Sequence, residues 1–411
     1  MVTAQVTSPV MTPVTPPTIE ELKEEADLDW FVYQAEAFDE WTAQAGQKRA
    51  CLYFRTGAGK TITSLAMVRL AGYDTATVIA PPITHESWEN WGTRLGVKVV
   101  AMSHAKFRMK TTKLSRHMPL IADEFHLFGG HNGKGWKRLD ALTRGMTAPV
   151  VLASATPNYN DAERVYCIQH ILDPASVKGG YIEFLYLHCE TEPNAFGIEP
   201  IVTGFRNYAD AEEYLAAQPR VYYVPDEVDY TIEDIVLSQP LPDAFETYGA
   251  DRRRGRLMAS QMEKRHAVER HQLVAEHGEI RKEVYDELTR IVVESDTPVL
   301  VFCAKAEIAY ALGARLNRSS TLTSAVISGK LAQSIKSTKV NQFIRGDFDV
   351  LVGTSTLATG TDGIDKMCDT LVIINDTDDD AQRRQLIGRI MPRGADDDAS
   401  GKKVYRIVMS S

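Results

Sequence analysis

Residues 51–68, CLYFRTGAGKTITSLAMV, set an apolar run against a turn of glycine and threonine that ends in a lysine. Strand-like ACLYF runs into RTGAGKT and then into a helical stretch, an arrangement that aims backbone N–H groups and a helix N-terminus at an anion. Gly57 and Gly59 allow the tight path past Thr56 and Ala58. Lys60 is expected to reach the β- and γ-phosphates of a nucleotide as a point charge. The Thr61 hydroxyl is expected to ligate the magnesium ion that travels with them. The full GxxxxGK[ST] pattern is not met, because its first glycine position holds Phe54. A bland glycine turn ahead of a helix is the plain alternative.

A second candidate lies downstream. PLIADEFH puts an apolar strand directly before Asp123 and Glu124, at the strand end where a metal-bound phosphate would lie if this strand neighbours the first. Asp123 is expected to hold magnesium through water, and Glu124 to orient and deprotonate the attacking water. An acidic turn after a buried strand is the alternative; the phosphate loop upstream weighs against it. His126 is ambiguous by itself, since a lone histidine is more often structural. Further on, VVLASATPNYND offers another buried strand ending in Ser154, Ala155 and Thr156, small residues that form turns or relay the state of the acidic pair.

These residues need elements to position them. Between residue 19 and about Pro157, short β-type runs (TVIAPP, LIADE, VVLASATP) alternate with helical stretches, the pattern of a parallel α/β sheet with ligands at the strand ends. Residues 1–18 are Thr/Pro/Val/Ser-rich and read as a loose tail. The rhythm weakens between about Asn158 and Pro242, which reads as a connector from about residue 176. An arginine-dense helical region follows (YGADRRRGR onward), either a solvated face or a phosphate contact. From TPVLVFCAK the alternation resumes through DVLVGTST, TLVIIND and KKVYRIVM. Two α/β domains are expected, 19–225 and 226–411.

The 411-residue chain carries a net charge of −9, which argues against coating nucleic acid by bulk electrostatics. Any nucleic-acid site must be local. Its five cysteines are too scattered for a zinc site or a disulfide framework. No run reaches the roughly 18 apolar residues of a membrane span, and the start lacks the basic and apolar segments of an export signal. A cytoplasmic protein with no membrane partner is expected.

With these residues in view, the sequence resembles the superfamily 2 helicases and translocases, and within them the chromatin-remodeller-like (Snf-type) branch, including small phage and bacterial members. The motifs stand in family order over about residues 30 to 395. WFVYQAEAF is similar to the adenine-reading motif, with Tyr33 and Gln34 at the base; RTGAGKT is similar to motif I, APP (Ala80 to Pro82) to motif Ia, DEFH to motif II and SAT to motif III. VPDEVDYTIEDIVLSQPL resembles the family's passage into its second domain. VLVFCAK resembles motif IV. VGTSTLATGTDGID resembles motif V, which implies Thr354 and Ser355 at the nucleic-acid backbone and Gly360 and Asp362 at the nucleotide. QLIGRIMPR resembles motif VI, with Gln385, Gly388 and Arg389 in place and Arg393 one residue late. Arg389 is the arginine finger that the resemblance implies, with Arg393 as a second arginine. Pro81, Ser103, His104 and Gly329 stand where the family contacts the strand, and His126, Ser154, Thr156 and Gln385 where it couples hydrolysis to movement.

The resemblance implies two RecA-like domains with parallel sheets flanked by helices, ATP and Mg2+ in the cleft between them, and a DNA partner that is single-stranded, duplex or branched. Closure on ATP and release on hydrolysis would step the protein along the strand. A monomer is expected, with replication or recombination proteins as partners. An RNA helicase and a non-catalytic clamp switched by ATP remain as alternatives. The aspartate runs NDTDDDAQRRQ and GADDDASGKK read as solvated loops rather than a two-metal nuclease, and a packaging motor would need a nuclease domain for which the chain has no room.

Overall fold

The computed structural model describes residues 14–109, 111–155, 162–194, 199–225, 230–238, 281–318, 322–357, 363–375, 380–391 and 401–410. The expectations for residues 1–13, Thr156, the arginine-dense stretch up to residue 280, Gly360, Asp362 and Arg393 lie outside these. The chain divides into two units, residues 1–226 and 227–411.

The first unit is built on strands β1 (Arg49–Phe54), β2 (Thr75–Ile79), β3 (Lys98–Met102), β4 (Leu120–Asp123), β5 (Val150–Ser154) and β8 (Val221–Val224). They form a parallel sheet in the order β3-β2-β4-β5-β1-β8. Strands β1, β4 and β5 are buried along their whole length, as expected of a parallel sheet covered on both faces. Successive residues point to opposite faces. Cys51, Tyr53, Leu120, Ala122 and Leu152 enter one core with Phe107, Leu139, Val165 and Phe184; Ala50, Leu52, Phe54, Ile121 and Val151 enter the other with Phe38, Trp41, Leu65 and Trp88.

Two features were left open by the sequence. β1 and β4 are not neighbours: β5 lies between them, pairing Tyr53 with Ser154 on one side and Ala153 with Asp123 on the other. The stretch read as a connector within the first domain carries regular elements of its own. Helices Ala162–Leu172, Gly180–His188 and Ala211–Ala216 lie against the sheet, β6 (Cys189–Glu192) and β7 (Ile201–Phe205) form an antiparallel pair, and β8 closes the sheet edge. Its periodicity is weak because aromatic rings, among them Tyr166, Phe184 and Tyr214, fill this core in place of an aliphatic stripe. The last tail residues also join the body. Val14 N–H donates to Gly72 O at 3.0 Å, and the Thr18 hydroxyl caps helix Ile19–Ala26 in a capping box.

The second unit repeats the plan with β9 (Ile232–Ser238), β10 (Val299–Cys303), β11 (Ser324–Ile327), β12 (Val350–Gly353), β13 (Thr370–Asn375) and β14 (Lys403–Ser410). All are parallel, in the order β11-β12-β10-β13-β14-β9. Val299, Val301 and Cys303 face a core shared with helices Lys282–Glu294 and Ala306–Arg318. Leu300 and Phe302 face one that includes Phe343, Leu386 and Ile390. The α/β reading, two parallel sheets flanked by helices, is borne out.

Candidate functional site: a phosphate loop and an acidic pair

The loop after β1 owes its path to two glycines with left-handed backbone, Gly57 at φ 86° and Gly59 at φ 77°. Gly59 is the residue that opens helix Lys60–Leu70. It is doubly constrained, because a Cβ there would also lie 2.6 Å from Gln34 Nε2. Gln34 is 3% exposed. Its Nε2 donates to Thr63 Oγ1 at 2.8 Å and its Oε1 accepts from Phe31 N–H at 3.1 Å. The Tyr33 hydroxyl donates to Ala58 O at 3.3 Å. Of the two residues expected to read the base, Tyr33 is thus fastened to the phosphate loop and Gln34 to the helix that follows it. Lys60 Nζ donates to Phe54 O and Arg55 O at 3.0 and 3.1 Å, which places the ammonium inside its own loop. Thr56 and Thr61 are half-buried beside the enclosed Ala58.

At the end of β4, Asp123 and Glu124 are 7% and 8% exposed. Burial raises the Asp123 pKa, the neighbouring Glu124 charge raises it further, and Lys60 and the Trp88 indole pull it back. Lys60 therefore lies within electrostatic reach of Asp123, although the two strands are separated by β5. Trp88 Nε1 donates to Asp123 Oδ2 at 3.2 Å, and Oδ1 accepts the Glu124 N–H at 3.0 Å. Glu124 adopts a left-handed backbone, φ 47°, which costs a non-glycine residue about 1–2 kcal/mol and turns its side chain out of the strand direction. His126 Nδ1 stands 3.4 Å from Glu124 Oε2 and 3.2 Å from Ser154 Oγ. The structure thus joins His126 to Ser154 and both to the acidic pair.

The positions expected at a nucleic-acid strand differ in exposure. His104 is not a surface residue: it is 6% exposed, with Nε2 2.9 Å from Asp123 O, and burial lowers its pKa to about 4. Pro81 and Thr354 have buried side chains, while Pro82 and Ser355 beside them are exposed. Ser103 spends its hydroxyl capping the helix His104–Arg108, accepting from Lys106 N–H at 3.1 Å. Gly329 is exposed, and a Cβ there would meet no atom within 4 Å. In the second unit Gln385 and Arg389 are both buried, at 6% and 8% exposure, around helix Asp380–Ile387. Sequence reasoning missed Trp88. Its only signal was a large donor one helix after the APP turn.

Two family models match the chain, "Helicase conserved C-terminal domain" over residues 282–394 and "Type III restriction enzyme, res subunit" over residues 27–82. The solved structure of Saccharomyces cerevisiae Dbp5 bound to RNA and ADP BeF3 is similar at 15% identity and a TM-score of 0.57, covering 97% of this chain and 88% of that one. The fold is the helicase fold of two RecA-like domains. A point variant of Dbp5 with the same ligands gives 14% identity, a TM-score of 0.55 and the same coverage. The SWI2/SNF2 ATPase core of Sulfolobus solfataricus in complex with dsDNA gives 12% identity and a TM-score of 0.41 over 93% of this chain and 88% of that one. No curated protein matches the sequence. The two helicase family models together with the helicase fold mark the chain as an enzyme, a nucleic-acid-dependent ATPase.

The donors around the phosphate loop suit magnesium. A carboxylate (Asp123) and a hydroxyl (Thr61) are hard oxygen ligands of the kind Mg2+ takes together with substrate phosphates. Among the described residues no cluster of three or more His, Cys, Asp or Glu forms an all-protein metal cage. Among them, too, no helix is long and apolar enough to cross a membrane.

Proposed function

We propose that this chain is a superfamily 2 helicase of the Snf-type branch, an ATP-driven motor on DNA that translocates along the strand or unwinds it. The observation that carries the proposal is the convergence of Lys60, Asp123 and Glu124 at the ends of β1 and β4, with His126 linking the acidic pair to Ser154. Lys60 would exchange the Phe54 and Arg55 carbonyls for the β- and γ-phosphates of ATP. Asp123 and Thr61 would hold magnesium, which when bound offsets charge on the phosphates. Glu124 would take the proton of the attacking water as the water oxygen bonds to the γ-phosphorus and the bond to the β–γ bridging oxygen breaks. Arg389, supplied by the second unit, would neutralise the charge that develops there. Tyr33 and Gln34 would meet the base, and Gly360 and Asp362 the nucleotide from the other side.

Closure on ATP and release after hydrolysis would then drive movement, with His126, Ser154, Thr156 and Gln385 passing the nucleotide state to the strand-holding positions Ser103, Gly329 and Ser355. Contacts of this kind go to backbone phosphates, so stepping would be largely independent of sequence. Phosphate release measured with single-stranded DNA, duplex, forked DNA and RNA tests the reading. DNA should stimulate it most. Glu124→Gln should lower the stimulated rate by at least about a hundredfold while leaving ATP binding in place. An undiminished rate would remove Glu124 as the base, and greater stimulation by RNA would replace the DNA motor with an RNA helicase. Strand displacement separates unwinding from translocation alone.

A further inference from the structure

Residues 90–122 carry seven Lys and Arg and no Asp or Glu, in a chain whose net charge is −9. The imbalance resumes after the acidic pair, where residues 125–139 hold Lys134, Lys137 and Arg138 and again no carboxylate.

The fold brings residues 104–117 and 134–141 onto one surface, on the sheet face packed by Phe107 and Leu139; helix His85–Arg94 packs the other face. The segment from His104 to His117 leaves the C-terminal end of β3 and returns to the start of β4, so in a parallel sheet it crosses from the edge bearing Asp123 to the opposite edge. Helix Lys134–Thr143 runs the same way, from the end of β4 towards the start of β5. The two are laced together. The Arg138 guanidinium sits 5.2 Å over the Phe107 ring and donates to Thr112 O, and Arg116 donates to Ala141 O at 3.4 Å. Lys106, Arg108, Lys113, Arg116, Lys134 and Lys137 are all exposed. Among the described residues none of the six forms an ion pair.

An ordinary solvated surface intersperses both signs, because a block of like charge repels itself and destabilises the compact state. A single-sign track on an acidic protein focuses a local positive field instead. The ten-residue helix that backs it rises about 15 Å, along which one nucleic-acid strand presents about four phosphates. We infer that this face is a second anchor for the phosphodiester backbone of a nucleic acid, separate from the strand-end positions and reached by the stretch of strand that continues past them. The inference rests on the nucleic-acid reading above and adds a surface to it.

The experiment compares two variants of equal net charge: Lys106, Lys113, Lys134 and Lys137 all changed to Gln, and a control with Lys178, Lys282, Lys366 and Lys403, exposed lysines outside the basic stretch, changed to Gln. Binding to single-stranded DNA, duplex DNA and RNA is measured by anisotropy across a salt series, with unstimulated ATPase alongside. The face variant should bind at least about tenfold more weakly at low salt and flatten the slope of log K against log salt by about 2 to 4. The control should flatten it by less than about 1. Unstimulated ATPase should match the parent in both, which shows an intact fold and nucleotide site. Equal slopes in the two variants, or a parental slope in the face variant, overturn the anchor and leave the proposed function standing. A parent chain that binds none of the three nucleic acids overturns the proposed function and the anchor with it.

Discussion

The indole N–H of Trp88 donates to Asp123 Oδ2 across 3.2 Å, with the ring 1% exposed beneath the strand end. One carboxylate oxygen is thereby oriented from helix His85–Arg94, the helix that follows the APP turn. The other is turned to the Glu124 N–H. A charged acceptor makes such a bond worth about 1.5–3 kcal/mol. Trp88→Phe keeps an aromatic ring, though a smaller one, and removes the donor. Expected is a kcat about tenfold lower, an ATP KM within about threefold of the parent, and a raised magnesium requirement, read from steady-state rates in a magnesium series. An unchanged kcat would make Trp88 a core residue only.

Asp123 has the opposite energetic sign from a stabilising ion pair. Its folded-state pKa is raised by burial and by Glu124, so the protonated form is favoured on folding. That contribution is present at low pH and lost as pH rises from the ordinary carboxylate range through the raised value. At neutral pH the charge is a liability that only function explains. Asp123→Asn should therefore raise the thermal midpoint of the nucleotide-free protein, by a few degrees in calorimetry, while ATP hydrolysis falls below detection. A lower midpoint would contradict the burial argument.

His104 gives a second pH signature. Burial depresses its pKa from 6.5 to about 4, so the unfolded chain takes up a proton before the folded one does. Its share of stability is whole above about pH 6.5 and lost as pH falls to about 4. The amount is on the order of 3 kcal/mol, the shift taken at 1.36 kcal/mol per unit. Glutamine at this position can still donate towards Asp123 O and does not titrate. Urea unfolding at pH 7.5 and pH 4.5 should show the parent losing its advantage over His104→Gln at the lower pH. A constant difference between the two proteins would place His104 in contact with water.

Gly59→Ala faces both a left-handed backbone and the Gln34 amide 2.6 Å away. The expected result is a rise in ATP KM of at least about tenfold. Gln34→Ala in the same chain relieves the collision and leaves the backbone term of about 1–2 kcal/mol. Because Gln34→Ala also removes a side chain proposed at the base, the double variant should lose less than the sum of the two single losses. Full additivity in the double-mutant cycle would show that the two residues do not touch.

The chemistry was legible where the backbone itself demands a residue type. Gly57 and Gly59 need positive φ, Lys60 and Asp123 carry charge at strand ends, and the strands announce themselves by unbroken apolar runs. The α/β plan followed from the same periodicities. Less was legible where partners are distant in sequence. Nothing local says that β5 enters between β1 and β4, since strand order is settled by long-range pairing. A histidine reads alike in the sequence whether exposed or buried, and His104 became structural only when β4 came to lie over it. The buried Pro81 and Thr354 each lie just past a strand end, and in each case it is the next residue, Pro82 or Ser355, that faces outward. Residues 162–224 were obscure because bulky rings replace a regular stripe.

The position of β5 has one more implication. Its last residue, Ser154, is paired sideways to the strand that carries the phosphate loop and linked through His126 to the carboxylate proposed as the base. A displacement on either side must pass through this single rod. A slip of one residue in its pairing would swing Ser154 to the opposite face of the sheet. Lengthening or shortening the loop ahead of Val150 should thus uncouple motor action from fuel consumption more readily than comparable surgery at β3, which borders only one neighbour.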